Sequence, residues 1–147
     1  MRRSLLAPAL IFFFVACHLG MQVRDFEPAR APEGVAVEAW VERGKASGGE
    51  PKVRGELLEV REGGLLLLSP RPADTERRVV LLPFTLIRRA RFDGLPGSCN
   101  LRNGEAPGEA VRGCIRRVSR FPQGLSPELL RLLLEAQGQT EPERLER

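Results

Sequence analysis

Apolar residues between Val53 and Phe92 fall in short runs, divided by glycines, prolines and charged residues at spacings that suit strands better than helices. Arg54 to Val60 is one such run and Leu65 to Leu68 another, with Arg61-Glu62-Gly63-Gly64 between them. The paired glycines are expected to supply the positive φ values of a tight hairpin. A third run, Arg77 to Leu82, follows a polar loop holding Pro70, Pro72 and Asp74, and it stops at Pro83, which has no N–H to give a ladder. Pro83 to Ile87 is dense in apolar residues yet too short for an α-helix, so it predicts one turn of 3₁₀ helix plugging the end of a barrel. The chain then resumes as a strand from Arg88 to Phe92, whose alternation points Ala90 and Phe92 inward and Arg89 and Arg91 outward. Upstream, Val35 to Glu42 alternates too: Val35, Val37, Ala39 and Val41 share one face, and Glu38, Trp40 and Glu42 share the other. This is the expected first strand. Trp40 on its polar face is either a ligand-contacting aromatic or a ring lying over neighbouring strands, and the second is the simpler reading.

Beyond Phe92 the pattern changes. Asp93 to Gly108 is built of turn formers and reads as a surface insertion, while Gly113 to Pro122 is expected to add a short strand or to cover the barrel. Ser126-Pro127-Glu128 has the marks of a helix start: serine at the N-cap, proline at the first helical position, an acid in the first turn. Gly138 supplies the stop. Within that helix Leu129, Leu130, Leu132, Leu133, Leu134 and Ala136 leave only a narrow polar stripe of Glu128, Arg131 and Glu135, so its apolar surface must be buried. Packing onto the strands is the first expectation, and a partner groove or a second copy is the alternative. Residues 139–147 are charged and read as a frayed tail.

Strand, glycine hairpin, strand, loop, strand, single helical turn, strand: this order resembles the small barrels of the Sm-like and related Src-homology-type folds. The resemblance spans residues 35–92 and rests on Gly55, Leu57 and Leu58 in a bent second strand, on Leu65 to Leu68, and on the turn from Pro83 to Ile87. It implies a mainly β fold, a small five-stranded barrel followed by a C-terminal α-helix. Its carriers are structural positions, so it speaks to fold and not to function. The Asp/Asn-rich loops with which Sm-like proteins hold RNA have no counterpart here, and nucleic acid is not an expected partner.

The amino terminus bears on where the protein works. Met1-Arg2-Arg3 followed by Leu5 to Val15 is a basic region and an apolar region of signal-peptide length, too short for a stable membrane span. It ends at Phe14-Val15-Ala16-Cys17, which looks like a bacterial lipobox with phenylalanine where leucine is usual. Lipidation of Cys17 is the expectation, against ordinary cleavage or an uncleaved anchor, and a diacylated cysteine would give stable anchoring. The domain reading is therefore a signal peptide at 1–16, a proline-rich tether at 17–34, the barrel at 35–92, a cysteine-bracketed segment at 93–122, a helix at 123–138 and the tail. The whole chain carries 23 basic and 19 acidic residues. Loss of Arg2 and Arg3 with the signal leaves a mature net charge near +2, weak support for nucleic-acid binding.

Chemistry narrows the function further. With Cys17 as the anchor, Cys99 and Cys114 remain as a pair, which suits a disulfide in an oxidising envelope better than two free thiols or a metal site. No metal is expected, because two thiols without a nearby histidine or third cysteine cannot complete a zinc shell. The single histidine, His18, adjoins the presumed anchor, so neither a serine–histidine nor a cysteine–histidine nucleophile can be built. Asp25, Asp74 and Asp93 all fall in loops and the glutamates on solvated faces, so an enzyme is not expected. Gly44 to Pro51 lacks the Gly-Lys-Ser/Thr element and following helix of a phosphate cradle. Two arginine groups remain: Arg88, Arg89 and Arg91, and Arg116, Arg117 and Arg120. They form one basic, anion-binding face if the second segment lies beside the last strand; otherwise they are a solvated rim balanced by Glu56, Glu59 and Glu62. The sequence thus points to an exported, lipid-anchored envelope protein acting as a structural or protein-interaction module. The alternative is a module that binds an anionic ligand or lipid headgroup, with no cofactor.

Overall fold

The computed structural model describes residues 33–42, 52–70 and 76–146, which lie within one compact unit, Ala31–Arg147. Cys17, the leader, the tether as far as residue 32, the glycine-rich loop and the loop around Pro72 and Asp74 lie outside the described residues. Five strands run where the apolar periodicity puts them: β1 (Ala36–Val41), β2 (Lys52–Val60), β3 (Gly64–Pro70), β4 (Arg77–Pro83) and β5 (Ile87–Phe92). A single 3₁₀ turn, Phe84–Leu86, joins the last two and buries Phe84 and Leu86.

The fold is mainly β, but the expected five-stranded barrel is replaced by an open, mixed seven-stranded sheet in the order β6-β5-β1-β2-β3-β4-β7. The cause lies in the two segments that flank the first five strands. Leu101–Arg102 forms β6 against β5, and Glu143–Arg144 forms β7, parallel to β4. They take the edges of β5 and β4 that would have to meet for five strands to close. The tail is thus not frayed as far as it is described. The Gln139 side chain accepts from Val79 N–H at 2.6 Å and donates to the Val79 carbonyl at 3.1 Å, and Leu145 N–H donates to Leu81 O at 3.1 Å.

Each face of the sheet has its own apolar cluster. Val37, Ala39, Leu57, Leu65, Leu67 and Phe92 belong to the inner one, and Leu58, Leu66, Leu68, Val79 and Leu134 to the outer one. The run Leu65 to Leu68 is continuous because β3 is covered on both sides, its odd residues facing one cluster and its even residues the other. The β2–β3 hairpin forms as expected, closed by Arg61 N–H to Gly64 O at 2.9 Å. Positive φ is not what its glycines supply, because neither Gly63 nor Gly64 has it. A Cβ on Gly64 would overlap the Leu82 carbonyl oxygen of β4, so the requirement there is for space.

Two helices follow. The segment from Gly113, expected to add a short strand or to cover the barrel, adds no strand and begins within α1 (Glu109–Arg117), with Val111, Cys114, Ile115 and Val118 at i, i+3, i+4 and i+7 and Ile115 fully buried. Cys114 is bonded to Cys99, whose 3₁₀ turn at Gly97–Cys99 directly precedes β6. Arg112 fixes α1 to the hairpin by donating to Arg61 O at 3.1 Å. The chain then crosses β2 at a bulge, where Arg120 and Phe121 N–H donate to Leu57 and Leu58 O at 3.0 and 2.9 Å.

The final helix, α2 (Pro127–Ala136), starts and stops as its sequence indicates. The Ser126 hydroxyl accepts from Leu129 N–H at 3.2 Å. Gly138, at φ +66°, turns the chain so that its own N–H and that of Gln139 reach Glu135 O and Leu134 O. Only one narrow leucine edge is docked: Leu134 is buried and Leu130 partly so, both in the outer cluster. Leu129 and Leu132, expected to be buried, are 37% and 50% exposed.

Candidate functional site

Alternation turns Glu38 and Trp40 of β1 away from the inner cluster, and register sets the neighbours of each. Trp40 stands between Lys52 of β2 and Arg89 of β5, and Arg89 in turn pairs with Arg102 of β6. One residue pair along, Glu38 stands between Arg54 and Arg91. Partners in an antiparallel ladder share a face. The outer side of β6-β5-β1 and the start of β2 therefore carries two rows, Lys52–Trp40–Arg89–Arg102 and Arg54–Glu38–Arg91. Five cations there face one carboxylate.

That carboxylate is fully engaged. Glu38 is 2.9 Å from Lys52 Nζ and 3.0 Å from Arg54 Nε. The hydrogen bond from Lys52, helped by the charge of Arg54, holds its carboxyl below the ordinary value of 4.5 against some opposing desolvation. Three cations lie over the Trp40 ring, Arg89 at 4.5 Å, Lys52 at 4.9 Å and Arg91 at 5.8 Å from its centre. The ring lies over its neighbouring strands, and what it touches is charged. Among the described residues Arg89, Arg91 and Arg102 have no acidic partner. Arg89 opposite Arg102 is a like-charge pair, an arrangement that costs stability unless something else compensates.

A register shift between Trp40 and Val41 leaves β5 with one extra residue, so Arg88 and Arg89 are both exposed. Arg88 turns to Glu42 at 3.1 Å. A depression of about 320 Å³ lies over β5 and β6, lined by Arg88, Arg89, Arg91, Asn100, Arg102 and Asn103. It shares Arg88 and Asn103 with a neighbouring depression of about 520 Å³ beside Glu42 and Thr85.

The second arginine group is placed elsewhere. α1 packs mainly on β2 and the 3₁₀ turn that holds Cys99, and not beside β5. Arg116 lines a separate depression with Glu59 and Phe121, and its nearest acid is Glu109 at 4.0 Å. Arg120 is structural: it reaches Glu56, 3.4 Å away, whose carboxylate also accepts from Gly34 N–H at 2.8 Å. Arg117 is exposed on the last turn of α1. So only Arg88, Arg89 and Arg91 of the six belong to the cationic face. Lys52, Arg54 and Arg102, which sequence reading passed over, complete it.

Among the described residues no cluster of three or more His, Cys, Asp or Glu is placed to hold a metal ion, and no helix is long and apolar enough to cross a membrane. No protein-family model, no curated protein and no solved structure matches the chain.

Proposed function

We propose that the protein is an exported, lipid-anchored module of the bacterial cell envelope that binds an anionic partner through the outer face of β6-β5-β1-β2. The observation that carries this reading is the division of the outer side of the sheet. Where it is apolar, over β3 and β4, α2 and the segment before it cover it; where it is cationic, none of the described residues covers it. Lys52, Arg54, Arg89, Arg91 and Arg102 against Glu38 give this face an excess of four positive charges, more than the mature chain carries as a whole. Guanidinium groups held against an indole lose less freedom on meeting a carboxylate, sulfate or phosphate than groups that move freely. The absence of a histidine from the mature fold beyond His18 favours binding over catalysis. Export and anchoring rest on the leader and the Ala16-Cys17 junction.

Two measurements test the two halves. Residues 31–147 should be retained on an immobilised sulfated polymer and elute with added salt, and Arg89→Ala with Arg91→Ala should elute at clearly lower salt. Equal elution of variant and parent would remove the cationic face as the site. Mass spectrometry of the mature protein should find an acylated Cys17 at the N-terminus; a different N-terminus without acyl mass would remove the anchor. The exposed Leu129 and Leu132 favour a second reading, a protein-interaction module working through α2, in which polymer retention is absent.

A further inference from the structure

We infer that the anionic partner of this face is a membrane surface, an anionic phospholipid leaflet on which the sheet lies flat; the inference rests on the anion-binding reading above. The cations do not converge on a point. They stand on the outward side of four neighbouring strands, so with strands about 4.8 Å apart the first row spans about 15 Å, wider than one phosphate group. Most of their side chains are exposed, Arg54 to 65% and the neighbouring Arg88 to 70%, with Lys52, held by Glu38, at 28%, and the depressions beside them are partly open to solvent. A discrete small ligand is gripped by converging, largely enclosed donors. A leaflet asks for the opposite, several cations in a plane that each meet a different headgroup.

The single tryptophan sits within that plane, where an amphipathic ring suits the headgroup level of a bilayer. Nucleic acid fits less well. Single strands are held on stacking aromatics, and the one indole here is already occupied by Arg89 and Lys52. A duplex is read by an element that enters a groove, and this face is the flat side of a sheet.

The test uses residues 31–147, which contain the whole described core and lack the anchor, with phosphatidylcholine vesicles made with or without about one-third phosphatidylglycerol. The protein should sediment with the anionic vesicles only and be released by raised salt, and the emission of Trp40 should shift on binding. Each basic residue near an anionic leaflet is worth roughly fivefold in partitioning, so Arg102→Ala should cost about fivefold and Arg89→Ala with Arg91→Ala about twenty-fivefold. Arg116→Ala with Arg117→Ala should cost far less. Equal binding to uncharged vesicles, an equal loss in the Arg116/Arg117 variant, or unchanged Trp40 emission overturns the proposal. Vesicle binding that is absent while the sulfated polymer still retains the protein overturns the membrane and leaves the anion site standing; loss of both overturns both. Tighter binding to single-stranded or duplex DNA than to vesicles also overturns it.

Discussion

Replacing Leu134 with alanine probes how α2 is held. The residue is 5% exposed and packs in the outer cluster with Leu58, Leu66, Leu68 and Val79, three of which are fully buried. Leucine-to-alanine changes in packed cores cost about 2–5 kcal/mol, the upper values arising where the cavity cannot collapse. Leu134 lies on a ten-residue helix that docks by one edge, so the helix can settle toward the gap and the lower half of that range is expected, about 3 kcal/mol. With a urea slope of about 1.5 kcal/mol per molar, within the range for small proteins, the unfolding midpoint falls by about 2 M at unchanged slope. Leu132→Ala, at a position 50% exposed on the same helix, should shift it by no more than about 0.3 M, since surface changes rarely exceed ~0.5 kcal/mol. Equilibrium urea unfolding of both variants decides the matter. Equal midpoints for the two would show that α2 is not docked through Leu134, and a larger loss for Leu132 would show that the other edge is the packed one.

Three further outcomes follow from single contacts. Cys99→Ser with Cys114→Ser should lower stability by up to about 3 kcal/mol, the chain-entropy value for a loop of this length, seen as a lower melting temperature that reductant no longer changes. Gln139→Ala removes both side-chain hydrogen bonds to Val79; a loss of about 1–2 kcal/mol is expected, with faster hydrogen exchange at the Val79 amide as the local check. Glu38 has a folded-state pKa below its ordinary value, so its contribution to stability is complete above pH 4.5 and is lost as pH falls through the lower folded value. Glu38→Gln should therefore flatten the acid limb of the stability profile below pH 4.5 and leave the neutral region nearly parallel to the parent, which thermal melts across pH will show.

Much of the sheet was legible because its signals are local. Alternation in Val37, Ala39 and Val41, the proline at position 83 and the Ser126 cap each act within a few residues, and the structure uses them as read. The segments that escaped are those whose structure comes from elsewhere. β6 and β7 are two residues long and have no periodicity to display; they exist because β5 and β4 offer free backbone groups. α1 does carry a helical signal, Val111, Cys114, Ile115 and Val118, but Gly113 in its middle and its β-branched residues argue for a strand. Burial of Ile115 and the bond to Cys99 override them. The cationic face divides in the same way. Arg89 and Arg91 could be turned outward by counting, whereas Lys52, Arg54 and Arg102 join them only through cross-strand register, which a linear reading cannot supply.

The short parallel pairing of the tail with β4 bears on solubility. Val79-Val80-Leu81-Leu82 is an apolar stretch with high β preference, and among the described residues Gln139 and residues 143–145 lie along its outer edge. Clipping the chain before Gln139 would bare that edge as a template for another strand, and the product should associate edge to edge into aggregates that the intact chain resists.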